Sequence, residues 1–131
     1  MNTKELIIYF EKKYNKKTNE FYNSEWYAIS HFEYLSEDFI EKYKKHVNWF
    51  NISSCQKLSE EFIEKYQNKV IWYWVSKYQK LSEKFIEKFK NKVSWSCISE
   101  YQKLSKEFME KYQNKLYWGL ISQYQKLSEE F

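Results

Sequence analysis

Four serines stand 23 residues apart in this chain: Ser53, Ser76, Ser99 and Ser122. A row of hydroxyls could serve as nucleophiles, but each would need a general base within hydrogen-bond reach. No histidine or carboxylate recurs beside them at that spacing, so no catalytic residue is assigned and the chain is read as a non-enzyme. Cys55 and Cys97 are isolated thiols and His31 and His46 isolated imidazoles, with no C-x-x-C pair among them. They lack the ligand spacing of a zinc site. The cysteines are read as free thiols in a reducing cytosol, and neither a metal nor a cofactor is expected.

A third kind of chemistry is suggested by Lys57, Lys80, Lys103 and Lys126, which recur beside Tyr78, Tyr101 and Tyr124. A cation and a stacking ring once per unit is what a helical reader of single-stranded nucleic acid needs. Against this, the net charge is only +4, with 18 acids spread among 22 basic residues. Every basic residue is lysine, whereas bidentate contacts to phosphate and guanine favour arginine. Lysine-rich, asparagine-rich composition without arginine or proline fits an AT-rich genome.

The elements that position these residues follow from one repeat. A 23-residue unit, roughly LSEEFIEKYQNKVxWxxISxYQK, begins at Leu35, Leu58, Leu81 and Leu104 without insertion, and a truncated copy occupies 127–131. Such a period marks stacked solenoids, in which one unit cannot bury its apolar face alone. The expectation is an all-α solenoid of short helix pairs, about ten helices, forming one domain over 1–131. Its parts are an atypical N-terminal cap (1–34), four repeats (35–126) and the truncated unit (127–131). No apolar run approaches the length of a membrane span, and Leu6 to Phe10 is too short for one. The chain is read as cytoplasmic, with no membrane partner.

Within each unit the first helix starts on an N-cap serine, Ser36, Ser59, Ser82 or Ser105. Apolar residues then fall at repeat positions 5, 6, 9 and 13, which is helical spacing. Asp38 with Lys42, Glu61 with Lys65 and Glu107 with Lys111 are expected as i, i+4 pairs. Asn68, Asn91 and Asn114 are expected to end this helix in the left-handed conformation. The second helix begins near Trp49, Trp72, Trp95 and Trp118, with Asn48 and Ser94 as N-caps and Ile71 and Tyr117 as poor ones, so its start is free to differ between copies. Positions 15, 18, 19 and 22 (Trp, Ile or Val, Ser, Gln) share a face assigned to the core. The position-19 serines allow close approach and can bond a carbonyl one turn back.

The first 34 residues are an edited repeat. Trp26, Ile29 and Ser30 fall on positions 15, 18 and 19, but Tyr14 to Trp26 spans twelve residues where the unit uses six. The surplus lies in the polar stretch Asn15 to Asn23, read as a mobile loop on a cap. At the other end, Leu127 and Phe131 are expected to fold over the fourth repeat.

Copies that agree elsewhere disagree at positions 14, 16, 17 and 20. Positions 16, 17 and 20 project away from the assigned core face and are expected to be exposed. Phe50, Tyr73, Trp74, Lys77, Glu100, Leu120 and Gln123 stand there. Large apolar side chains on a solvated helix face mark an interaction surface, and Tyr and Trp are frequent hot-spot residues. The alternative is that this side packs against an adjacent repeat of a tightly wound solenoid; on the binding reading these seven are the candidate partner-binding residues.

The unit, carried by LSEEF, by the Trp with IS three and four residues on, and by the YQK end, resembles short tandem helical repeats of AT-rich phages, giant DNA viruses and some bacteria. The likeness covers Leu35 to Phe131, and residues 1–34 only in part. It implies a viral or mobile-element origin and carries over no catalytic residue. By association with small phage proteins it implies an anti-defence inhibitor that occludes a host defence protein. A protein-binding module is therefore the first expectation and a nucleic-acid or nucleotide binder the second.

Overall fold

In the computed structural model, which describes residues 1–32 and 34–125, the chain is all-helical. The described residues form ten α-helices and one 3-10 turn, and no strand occurs among them. Successive helices pack in a repeat-like manner compatible with a solenoid. The helices are α1 (Thr3–Tyr14), α2 (Asn23–Ser30), α3 (Glu37–Lys42), α4 (Trp49–Cys55), α5 (Glu60–Lys65), α6 (Trp72–Tyr78), α7 (Glu83–Lys88), α8 (Trp95–Tyr101), α9 (Lys106–Lys111) and α10 (Trp118–Tyr124). Two compact units divide between Val70 and Ile71. In the first, α1 packs on α3 and α2 on α4; in the second, α8 packs on both α6 and α10.

Each first helix begins where a serine hydroxyl accepts the N–H three residues on, at 3.1 to 3.2 Å for Phe39, Phe62, Phe85 and Phe108. It lasts six residues. The chain then leaves through a tight turn, in which the N–H groups of Lys69 and Val70 both bond the Tyr66 carbonyl at 2.8 and 3.0 Å. Lys92 and Val93 do the same at Phe89, and Lys115 and Leu116 at Tyr112. This turn needs no left-handed residue, so the expected asparagine caps do not form. The one non-glycine residue with positive φ among those described is Asn15, which ends α1. All four second helices start on their tryptophan, whether or not a side chain caps them. Asn48 and Ser94 do cap, and Ile71 and Tyr117 do not.

The core consists of positions 1, 5, 6, 13 and 18 in every described repeat, and of position 9 in the last three. Phe39, Ile40, Ile52, Ile63, Val75, Ile86, Ile98 and Ile121 are all fully enclosed. Within each unit, polar side chains then tie neighbouring repeats together. The Gln102 amide donates to the carbonyls of Ser76 (2.8 Å) and Gln79 (2.7 Å) and accepts the N–H of Leu81 (3.1 Å). Gln56 bonds Ser30 and Leu35 in the same way and gives its other donor to Phe32, one repeat position earlier, and Gln125 donates to Ser99 and Gln102. The position-19 hydroxyls add a second tie. Ser30 donates to the Trp26 carbonyl (2.7 Å) and accepts the Asn48 N–H (2.8 Å), while Ser99 donates to Trp95 and accepts from Tyr117.

Carboxylates on the first helices make a third tie. Ser59 donates its N–H and hydroxyl to Glu37 at 2.6 and 2.9 Å, and Ser105 does so to Glu83. Glu41 accepts from Lys65 and from the Tyr66 hydroxyl, and Glu87 accepts from Lys111. The expected i, i+4 pairing gives way here: Lys65 and Lys111 reach back 24 residues, not four. Lys65 and Lys111 each have a carboxylate waiting on the preceding repeat, which the next residue of their own repeat, Tyr66 or Tyr112, shares.

The cap closes differently. Asn2 caps α1, and the 3-10 turn Thr18–Glu20 is held where Thr18 donates its N–H to Glu11 at 2.8 Å. Lys16 bonds Glu25 at 2.9 Å. The inserted stretch is thus hydrogen-bonded at both ends. Leu127 and Phe131 lie outside the described residues.

Two outcomes follow. Replacing Gln102 by Met keeps the volume but orphans two carbonyls and one N–H, so urea unfolding should show a loss of at least about 3 kcal/mol, from about 1 to 3 kcal/mol for each unsatisfied buried group. Gln102→Glu should cost more, since a carboxylate would face two carbonyl oxygens. The second concerns acid. The Lys65 hydrogen bond and then the Tyr66 hydroxyl hold Glu41 below the usual carboxylate range, and Lys111 and Tyr112 do the same for Glu87. A depressed folded pKa gives stability that is present above the unfolded value and is lost as pH falls through the folded one. Between about pH 5 and pH 3, Glu41→Gln/Glu87→Gln should therefore lose less stability than the native chain in denaturant titrations.

Candidate partner-binding surface

The tryptophans of position 15 pack on the first helix of the following repeat. Trp49 lies 6.2 and 5.5 Å from the rings of Phe62 and Tyr66, Trp72 pairs with Phe85 and Phe89, and Trp95 with Phe108 and Tyr112. Trp26 does the same with Phe39 and Tyr43 and is buried. The other four depart from the expected core role. Trp49, Trp72 and Trp95 are half-buried and Trp118 is 36 % exposed. The indole N–H explains this: Trp49, Trp95 and Trp118 donate to the carbonyl five residues back, at 3.0, 2.9 and 2.9 Å. That carbonyl belongs to the surface turn, so one edge of each ring stays near water.

Position 17 also departs from expectation, since Asn51 and Cys97 are buried. Each second helix has another second helix beside it, so its buried arc is wider than one face. Asn51 uses that place to donate its amide to the Tyr27 carbonyl on α2 at 3.2 Å. Trp74 and Leu120, at the same position, are half-buried. Position 16 does face solvent, where Phe50 and Tyr73 are each 48 % exposed.

Of the seven candidate residues, the structure gathers four in the second unit. Tyr73, Trp74 and Lys77 lie on α6 and Glu100 on α8. The Lys77 ammonium is 5.5 Å from the Trp74 ring, 5.2 Å from Tyr78 and 5.3 Å from Tyr101. Trp74 stacks on Tyr78 at 5.6 Å and meets Tyr73 edge-on at 4.9 Å. Burial works to lower the Lys77 pKa, but the hydroxyls of Tyr101, Tyr78 and Tyr73 outweigh it and hold the ammonium above its ordinary value. Burial and then Glu100 push the Tyr101 hydroxyl up. Phe50, on α4, belongs to the first unit, and Leu120 and Gln123 lie on α10. The tyrosines of position 21 complete the cluster: Tyr78, Tyr101 and Tyr124 are all exposed. Tyr78 and Tyr101 stand at position 21, which is Tyr in three copies and Cys55 in the first, so variation among copies does not single them out.

One thiol chemistry exists in the first unit. Cys55 Sγ lies 3.2 Å from His31 Nδ1 and 3.4 Å from Ser54 Oγ. A thiol with an imidazole is the start of a nucleophile. Both residues are exposed, so a reaction there would run in bulk water, without the solvent exclusion of a catalytic cleft. Among the described residues no group of three potential metal ligands occurs. No helix among them is long and apolar enough to cross a membrane.

No protein-family model matches the chain, and neither curated proteins nor solved structures give a match.

The different burial of the two aromatic sets predicts different costs. Trp95→Ala should destabilise by about 2 kcal/mol, short of the roughly 3 to 5 kcal/mol for emptying a fully buried aromatic site. Tyr73→Ser should stay within about 0.5 kcal/mol of the native chain. Urea midpoints of the two single variants distinguish these values.

Proposed function

We propose that this chain is a non-enzymatic protein-binding module that grips its partner with the aromatic surface at the ends of α6 and α8. The observation that carries the reading is the cluster of Tyr73, Trp74, Lys77, Tyr78 and Tyr101. Three of its tyrosines are about half exposed, yet ring packing and the Lys77 ammonium fix their positions. Rings already held in place lose little freedom on binding, and Tyr and Trp then contribute large contact areas at low entropic cost. The resemblance to phage and giant-virus repeats supports a host protein in the cytosol as the partner. It further supports inhibition by occlusion of a defence protein, which requires only a rigid surface.

One observation favours the nucleic-acid reading. Tyr78, Tyr101 and Tyr124 recur on the surface with exposed Lys80 and Lys103 beside them. It ranks second because the Lys77 ammonium already occupies the space between Tyr78 and Tyr101, and because the net charge is only +4 with no arginine.

Capture from the native host decides between them. The tagged chain should retain a protein after nuclease treatment, and Tyr73→Ser/Tyr78→Ser should lose at least about tenfold of it at an unchanged Tm. If that variant binds as well as the native chain, while Lys80→Glu/Lys103→Glu abolishes a salt-sensitive, nuclease-sensitive association, the protein-binding reading fails.

A further inference from the structure

Each repeat supplies an internal comparison for the next, and two neighbouring repeats of the second unit differ by one reversed charge. At position 20, Lys77 closes α6 and Glu100 closes α8. The Lys77 ammonium stands between the ring that follows it, Tyr78, and the ring one repeat on, Tyr101, at nearly equal distances of 5.2 and 5.3 Å. One repeat further, Tyr101 and Tyr124 hold the equivalent places. They flank a cavity of about 350 Å³, whose remaining walls are Glu100, Gln102, Lys103, Leu104 and Gln125. Where the earlier slot receives an ammonium group from its own helix, this one has a carboxylate.

We propose that the slot between Tyr101 and Tyr124 receives the ammonium group of a lysine side chain from a protein partner, with Glu100 as counter-ion and the two phenol rings as walls. The inference rests on the protein-binding reading for the nature of the partner, and on the Lys77 slot for the chemistry. A cation over a ring face is attracted by the ring quadrupole, and the half-buried carboxylate adds the charge that steers a cation into place. The amides of Gln102 and Gln125 at the base are committed to backbone carbonyls, so they leave the cationic guest to the rings and Glu100. Trp74, the third ring around Lys77, is replaced by Cys97 at the same repeat position. The second slot therefore lacks that wall and admits a side chain from outside. Among the described residues, Lys103 is the like charge on the lining, exposed and so screened at physiological salt, and the Lys77 ammonium stands 5.3 Å from the Tyr101 ring.

The test needs no identified partner. The full chain, observed through its tyrosine ring signals by NMR, is titrated with Nα-acetyl-lysine amide and, as the uncharged match, with Nα,Nε-diacetyl-lysine amide. Expected are saturable shifts at Tyr101 and Tyr124 with the first compound alone, with millimolar affinity. Glu100→Gln should weaken them about fivefold or more. Glu100→Lys, which installs the residue native to this position one repeat earlier, should abolish them. Lys77→Ala should open a second site, with new saturable shifts at Tyr78. The proposal is overturned if the charged compound gives no saturable shifts, if its uncharged match does equally well, or if binding persists in Glu100→Lys. It is overturned equally if uridine monophosphate saturates the slot and the lysine compound does not. Failure here leaves the Tyr73/Tyr78 capture result standing, and failure of that capture leaves the titration readable.

Discussion

Inside each compact unit, a single glutamine side chain, Gln56, Gln102 or Gln125, holds its repeat to the preceding one. Its side chain ends in two N–H donors and one acceptor, and the loop between a second helix and the next first helix presents two outward carbonyls and one N–H. The match is complete at Gln56 and Gln102. Buried backbone groups must be satisfied, and a loop so short, in a chain with one glycine and no proline, cannot satisfy them itself. The glutamine does this from the neighbouring repeat. A one-residue change in repeat length would move it off its three partners at once, which accounts for copies that follow one another without insertion. Serine at position 19 and the carboxylates at positions 3 and 7 act in the same direction, each linking a repeat to the adjacent one.

Much of this fold is legible in the sequence because helix starts and apolar spacing are local properties. Ser36, Ser59, Ser82 and Ser105 cap as read, and positions 5, 6, 13 and 18 are buried as read. Two misreadings share a cause: they treat a residue as belonging to one helix when its partner lies a repeat away. Lys65 has Glu61 four residues before it, yet the carboxylate it bonds is Glu41. Position 17 is solvent-facing for an isolated helix, but beside a second helix it holds Asn51 against the Tyr27 carbonyl. The asparagines needed no left-handed turn because two N–H groups share one carbonyl there. The tryptophans were placed on the correct face but too deep, since their indole N–H is drawn to a surface turn.

The candidate surface was half legible. Variation among copies isolates Tyr73, Trp74, Lys77 and Glu100 as residues the scaffold does not dictate. It misses Tyr78 and Tyr101, which recur at one position and are exposed. Recurrence at position 21 would mean burial if packing were its only cause, and it is not: the exposed phenols form the walls of slots that the glutamine clamp spaces by one repeat.

Scaffold and surface are therefore connected physically. The glutamines that close each loop also form the base of the Tyr101–Tyr124 slot, so the spacing of the ring walls is set by bonds in the buried backbone and not by the rings themselves. On the slot proposal, what enters is set by the residue at position 20, which makes no clamp bond. Lysine there fills the slot from within, and glutamate leaves it open with the opposite charge at its edge. The bonds that hold the described repeats together and the side chains proposed to meet a partner are thus carried by different residues of the same short unit, so a change at position 20 leaves the glutamine bonds in place.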